Sequence, residues 1–138
     1  MYGWLALIGV AFILILLLSL NGTNSTEIIF DGNEMLEITD VVVMSVRGGR
    51  VQLNEQERAE FISLMDDASY NKKLIPNINK FDMDFYIEIF YSNGDFKEFR
   101  YELERGILAE EITSTKLEQY YLEDNGKFAT FIKQYNGQ

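Results

Sequence analysis

DFYIEIFYSNGDFKEFRYEL, residues Asp84–Leu103, holds two runs of aromatic and β-branched residues around Ser92-Asn93-Gly94-Asp95. Such residues favour a pleated, half-buried surface, and Asn-Gly between two such runs is a strong short-range hairpin signal. The register follows from the chemistry of the two faces. A two-residue loop over Asn93-Gly94 sets Ile87 and Ile89 on one face with Arg100 and Glu98, mixing charge with apolar residues. A three-residue loop has a type I turn over Tyr91–Gly94 and a left-handed Gly94. It sets Tyr91 against Asp95, Ile89 against Lys97, Ile87 against Phe99 and Phe85 against Tyr101. This register makes one apolar face, and burying it contributes ~1.5–3 kcal/mol per large side chain. A slip of one residue would turn the whole set to water.

The opposite face of the hairpin then carries Phe90 opposite Phe96, Glu88 opposite Glu98 and Tyr86 opposite Arg100. Directly opposed carboxylates repel, by a few tenths of a kcal/mol to ~1 kcal/mol. We read Tyr86, Glu88, Phe90, Phe96, Glu98 and Arg100 as a partner-binding strip, aromatic and acidic, for a protein with basic groups. The competing reading is that water and Arg100 relieve the repulsion on a plain solvent face or under a packed segment.

Outward from the hairpin, Ile38–Arg47 is β-branched and reads as a strand, Gly48-Gly49 as a turn, and Val51 and Leu53 as a short return. Asn54 stands three residues before Glu57, the spacing of a capping box, and predicts a helix over Glu55–Ala68. Ala59, Phe61, Ile62, Met65 and Ala68 are its expected buried face. Tyr70–Asp82, with the single proline, Pro76, and with Lys72, Lys73 and Lys80, reads as an exposed connection. Ile107–Lys116 is ambiguous and partly extended, and Leu117–Leu122 reads as a strand. Asp124 or Asn125 is the expected cap of a last helix over Gly126–Tyr135, in which Phe128, Phe131, Ile132 and Tyr135 fall at i, i+3, i+4, i+7. Asn136-Gly137 stops it. The order predicts an α+β two-layer domain, with an antiparallel sheet of about 4–5 strands and two helices.

At the start of the chain, Trp4–Leu20 (WLALIGVAFILILLLSL) carries no charge. With Met1–Gly3 it approaches the ~20 residues that a helix needs to span a bilayer, and Tyr2 and Trp4 suit the headgroup boundary. It lacks the basic start and small-residue cleavage site of a signal peptide. We therefore expect residues 1–20 to be an uncleaved transmembrane anchor, residues 21–34 a linker and residues 35–138 a soluble domain. No Lys or Arg precedes the span and the first after it is Arg47, so charge bias gives little orientation. The expectation is a single-pass cell-membrane protein with its domain extracytoplasmic.

The chain has 12 Lys plus Arg against 22 Asp plus Glu, a net charge of −10. This argues against nucleic acid and against docking on anionic headgroups. Neither Cys nor His occurs, which removes thiol catalysis, disulfides and the commonest general base and metal ligand. No cofactor is expected. Asp82-x-Asp84 lacks the glycine and ligand ladder of a calcium loop. Asn21-Gly22-Thr23 and Asn24-Ser25-Thr26 match the N-glycosylation pattern, but lie against the anchor. Glu110-Glu111 and Asp66-Asp67 are adjacent, so each pair points apart on a regular element.

EFISLM (60–65), DFYIEIFYSNGDFKEFRYEL (84–103) and QYYLEDNGKFATFIKQY (119–135), taken with the element order, resemble small single-span cell-surface proteins of Gram-positive bacteria carrying a domain of unknown function. The resemblance covers roughly residues 35–138. It implies a cell-surface location and transfers no site residue. The expected function is a membrane-tethered binding or sensor-type module without catalytic activity, whose partner is another membrane or envelope protein. The alternative is a carboxylate-based enzyme acting on envelope polymers.

Overall fold

The hairpin forms in the expected register. In the computed structural model, which describes residues 22–23, 36–72, 83–113, 116–123 and 125–137, Phe85–Tyr91 and Phe96–Glu102 are adjacent strands. They pair Phe85 with Tyr101, Ile87 with Phe99 and Ile89 with Lys97. The Gly94 N–H donates to the Tyr91 carbonyl at 3.0 Å, closing the turn, and Gly94 has a φ of 90°. Its lack of a side chain permits that angle.

In chain order the elements are β1 (Gly22–Thr23), β2 (Ile38–Ser45), β3 (Arg50–Gln52), α1 (Glu55–Asp67), β4 (Ser69–Lys72), β5 (Phe85–Tyr91), β6 (Phe96–Glu102), β7 (Ile107–Thr113), β8 (Lys116–Glu123) and α2 (Gly126–Lys133). Seven strands, β2–β8, form one antiparallel sheet, with the two residues of β1 added at an edge. The spatial order is β1-β4-β8-β7-β6-β5-β2-β3. The α+β architecture with two helices agrees with expectation, but the sheet is wider than the 4–5 strands expected. Two segments account for the difference. Tyr70–Lys72, the start of the stretch read as an exposed connection, belongs with Ser69 to β4, which pairs with β8 from Ser69 opposite Glu123 to Lys72 opposite Tyr120. Ile107–Thr113, the ambiguous stretch, is a strand held between β6 and β8. Both are strands because distant neighbours pair with them. Gly22–Thr23, within the stretch read as a linker, pairs with Tyr70 and Asn71.

Period-2 alternation sends Phe85, Ile87, Ile89 and Tyr91 into the core, where they meet Val41, Val43, Phe99, Tyr101, Leu108, Tyr120 and Leu122. Both helices close this face. On α2, Phe128, Phe131 and Ile132 are buried, as is Tyr135 just beyond it. On α1 the buried residues are Phe61 and Met65. Ala59, expected in the core, is exposed, and Ile62 and Ala68 are half-buried, so α1 buries a narrower stripe than its spacing suggests. The Phe61 ring sits 5.8 Å from Phe128, and Phe128 meets Tyr101 edge-on at 5.0 Å, which ties the helices to each other and to the sheet.

The capping box is present: the Glu57 N–H donates to Asn54 Oδ1 at 2.9 Å, and the Asn54 N–H donates to Glu57 Oε2 at 2.8 Å. Asn125 does not cap α2 with its side chain. Instead its Oδ1 accepts from the Tyr101 hydroxyl, and its Nδ2 donates to the Leu103 carbonyl at 2.9 Å. A tertiary partner outcompetes the local one. Trp4–Leu20 lies outside the described residues; among those described, no helix is long and apolar enough to cross a membrane.

Candidate functional site

Strand pairing, not sequence proximity, assembles the second face of the sheet. In the β5–β6 register Phe90 faces Phe96, Glu88 faces Glu98 and Tyr86 faces Arg100. All six residues of the expected strip therefore share one face, opposite the one the helices cover. The two phenylalanine rings stack with centroids 5.8 Å apart and planes at 27°. Phe90 is half-buried, while Phe96 is 56% exposed, one of three large exposed hydrophobic residues among those described.

Two neighbours enter the strip from other strands. Phe99 faces Glu110 across β6–β7, so the same register carried one residue further sets Glu111 beside Glu98. Glu88, Glu98 and Glu111 thus form a row across β5, β6 and β7. The outer two have cations. Arg50, on β3, approaches Glu88 at 3.5 Å, and Arg100 Nη2 donates to Glu111 Oε2 at 3.3 Å. The Tyr86 hydroxyl donates to the same Glu111 oxygen at 2.8 Å. Among the described residues no cation pairs with Glu98, the middle carboxylate. Arg100, which the competing reading has relieving the Glu88–Glu98 repulsion, turns to Glu111. Its Nε is buried and meets no acceptor among the described residues.

The electrostatics register in Tyr86, whose hydroxyl is pushed up to about 12. Burial is the largest cause, followed by the bond to Glu111 and the charges of Glu111 and Glu98, with Arg100 opposing.

The helix-side face carries a second facing pair, Glu110 opposite Glu118. There each carboxylate has its own cation. Lys97 Nζ lies 2.9 Å from Glu110, with both side chains about nine-tenths buried, and Lys72 Nζ lies 3.2 Å from Glu118. Burial pushes the Glu118 carboxyl up, but the Tyr120 hydroxyl and the ammonium groups of Lys72 and Lys116 outweigh it and hold the carboxyl below its usual range. This neutralised set explains itself as a structural network. The contrast isolates Glu98 as a carboxylate held near other carboxylates with no counter-charge among the described residues.

Other features give no chemistry. The Asp84 carboxylate accepts the Leu103 N–H at 2.8 Å, which fixes the C-terminal end of β6; Asp82 lies outside the described residues. Among the described residues no group of three acidic side chains is placed to hold a metal ion. A groove of about 480 Å³ runs between α1 and α2, with Leu64 and Phe131 in its wall and Glu60 and Lys127 among its lining. It is a seam between helices, away from the strip.

The sequence places the six strip residues on one face, as the register has them, but does not bring Glu111 and Arg50 beside them. Glu111 neighbours Glu110 in the chain and the two point to opposite faces; its partner is Arg100 on β6. Only the placement of β7 beside β6 reveals that. No family model, no curated protein and no solved structure matches the chain.

Proposed function

We propose that the chain is a membrane-tethered binding module, without catalysis of its own, whose extracytoplasmic domain contacts a basic protein partner through the Phe90–Phe96 and Glu88–Glu98 strip. The observation that carries this reading is Glu98: a carboxylate without a counter-charge among the described residues, flanked by carboxylates, beside a stacked ring pair whose outer member is exposed. Leaving it so works against stability. A cationic group arriving from a partner offsets that penalty and gains contact with the rings. The tether rests on the uncharged Trp4–Leu20 run, and the partner class, another membrane or envelope protein, follows from the tether.

The test is cross-linking and affinity capture of the full chain from its native membrane, comparing the wild type with the Phe90→Ser/Phe96→Ser double variant. The variant is expected to lose the partner while its melting temperature falls only slightly, because both rings lie outside the core cluster. A large loss of stability would make these rings core and end the reading. Protease added to intact cells is expected to digest the domain, and protection until lysis would reverse the orientation.

A further inference from the structure

Resting on the binding reading above, we infer that the strip recognises an arginine side chain of the partner. Two features of the sheet face fit this occupant. Phe96 offers an exposed ring at the outer end of a stacked pair, a flat apolar surface on which a planar guanidinium can lie. Beside it, Glu98 and Glu88 stand directly opposed on β6 and β5. Side chains so placed have stems about 5 Å apart. A guanidinium presents a fork of donors that serves two carboxylates at once, whereas an ammonium is a point charge on a flexible stem. Glu88 is available because its own cation is loosely held: Arg50 lies at 3.5 Å and its side chain is 59% exposed.

One arginine side chain thus supplies the cation that Glu98 lacks among the described residues and the flat surface that Phe96 accommodates.

The experiment uses the full chain in mild detergent, isotopically labelled, titrated with N-acetylarginine amide, N-acetyllysine amide and N-acetylcitrulline amide while backbone amide resonances are followed. The arginine amide is expected to shift resonances of residues 88, 90, 96 and 98 saturably, the lysine amide to bind more weakly and the citrulline amide not to bind. Glu98→Gln removes the charge and the repulsion together. It is expected to weaken arginine binding about tenfold while leaving the melting temperature unchanged or higher, a combination that a merely structural Glu98 would not give. Citrulline binding as well as arginine, unchanged affinity in Glu98→Gln, or shifts confined to another surface would overturn the inference. If Phe96→Ser abolishes capture of the native partner and the arginine amide leaves the strip unmoved, the arginine assignment is wrong and the binding reading stands. If Phe96→Ser leaves capture intact, both fall.

Discussion

Gly106→Ala joins two stabilising devices in one perturbation. Gly106 ends the turn after β6 with a φ of 64°, and a Cβ there would lie 2.8 Å from Asn125 Cγ and 2.9 Å from Asn125 Cβ. The left-handed backbone alone costs an alanine ~1–2 kcal/mol. The contact then forces Asn125 to move, and Asn125 holds both the Tyr101 hydroxyl and the Leu103 carbonyl. Losing those two hydrogen bonds adds ~0.5–1.5 kcal/mol each, for a total of about 2–5 kcal/mol. Asn125→Gly separates the parts, because it removes the Cβ as well as the amide. In that background the clash and the two bonds are already gone, so Gly106→Ala is expected to cost only its backbone share, ~1–2 kcal/mol. Urea unfolding of the full chain, followed by the near-ultraviolet circular dichroism of its tyrosines, measures all four corners of the cycle. A Gly106→Ala cost below ~1 kcal/mol, or the same cost with and without the Asn125 side chain, would refute the coupling.

Two further outcomes follow from groups already placed. Asn54→Ala removes the side-chain half of the capping box and is expected to destabilise the domain by ~1 kcal/mol, read from the urea midpoint; no change would mean that α1 is held by Phe61 and Met65 alone. The Tyr86 hydroxyl, pushed up to about 12, loses its proton less readily in the folded chain than in the unfolded one. Its share of stability is therefore complete below pH ~10 and is lost as pH rises from there through about 12. In urea titrations from pH 9 upward, Tyr86→Phe is expected to flatten part of that decline, and an unaltered slope would count against the Tyr86–Glu111 bond.

The parts of the fold legible in the sequence were those decided within a few residues of chain. The turn over Tyr91–Gly94 set the β5–β6 register because one alternative mixed charge with apolar side chains. Asn54 and Glu57 announced the start of α1 because a capping box is a contact at fixed spacing. What stayed hidden depends on neighbours far along the chain. Ser69–Lys72 has little strand character of its own, and β8, about fifty residues later, pairs with it. Asn125 has the chemistry of a cap, but Tyr101, twenty-four residues away, takes its oxygen. The candidate site divides in the same way. Six strip residues lie within one hairpin and were readable, whereas Arg50 and Glu111 arrive through the pairings of β3 with β2 and of β7 with β6.

The order of strands also has a consequence for how the chain coexists with copies of itself. FYIEIFY, Phe85–Tyr91, has the composition of a segment that stacks into cross-β fibrils: high β propensity, no proline and a single charge. In the fold it lies inside the sheet, with β6 on one side and β2 on the other, so its backbone has no free row of donors and acceptors. Among the described residues the strands at the two rims are the shortest, two residues in β1 and three in β3, and β3 presents the exposed Arg50 and Gln52. A rim so short and polar is a poor template for another chain to extend. Aggregation of this protein is therefore expected to follow the opening of β2 away from β5 rather than any encounter between intact molecules, and its rate should track the population of that opened state.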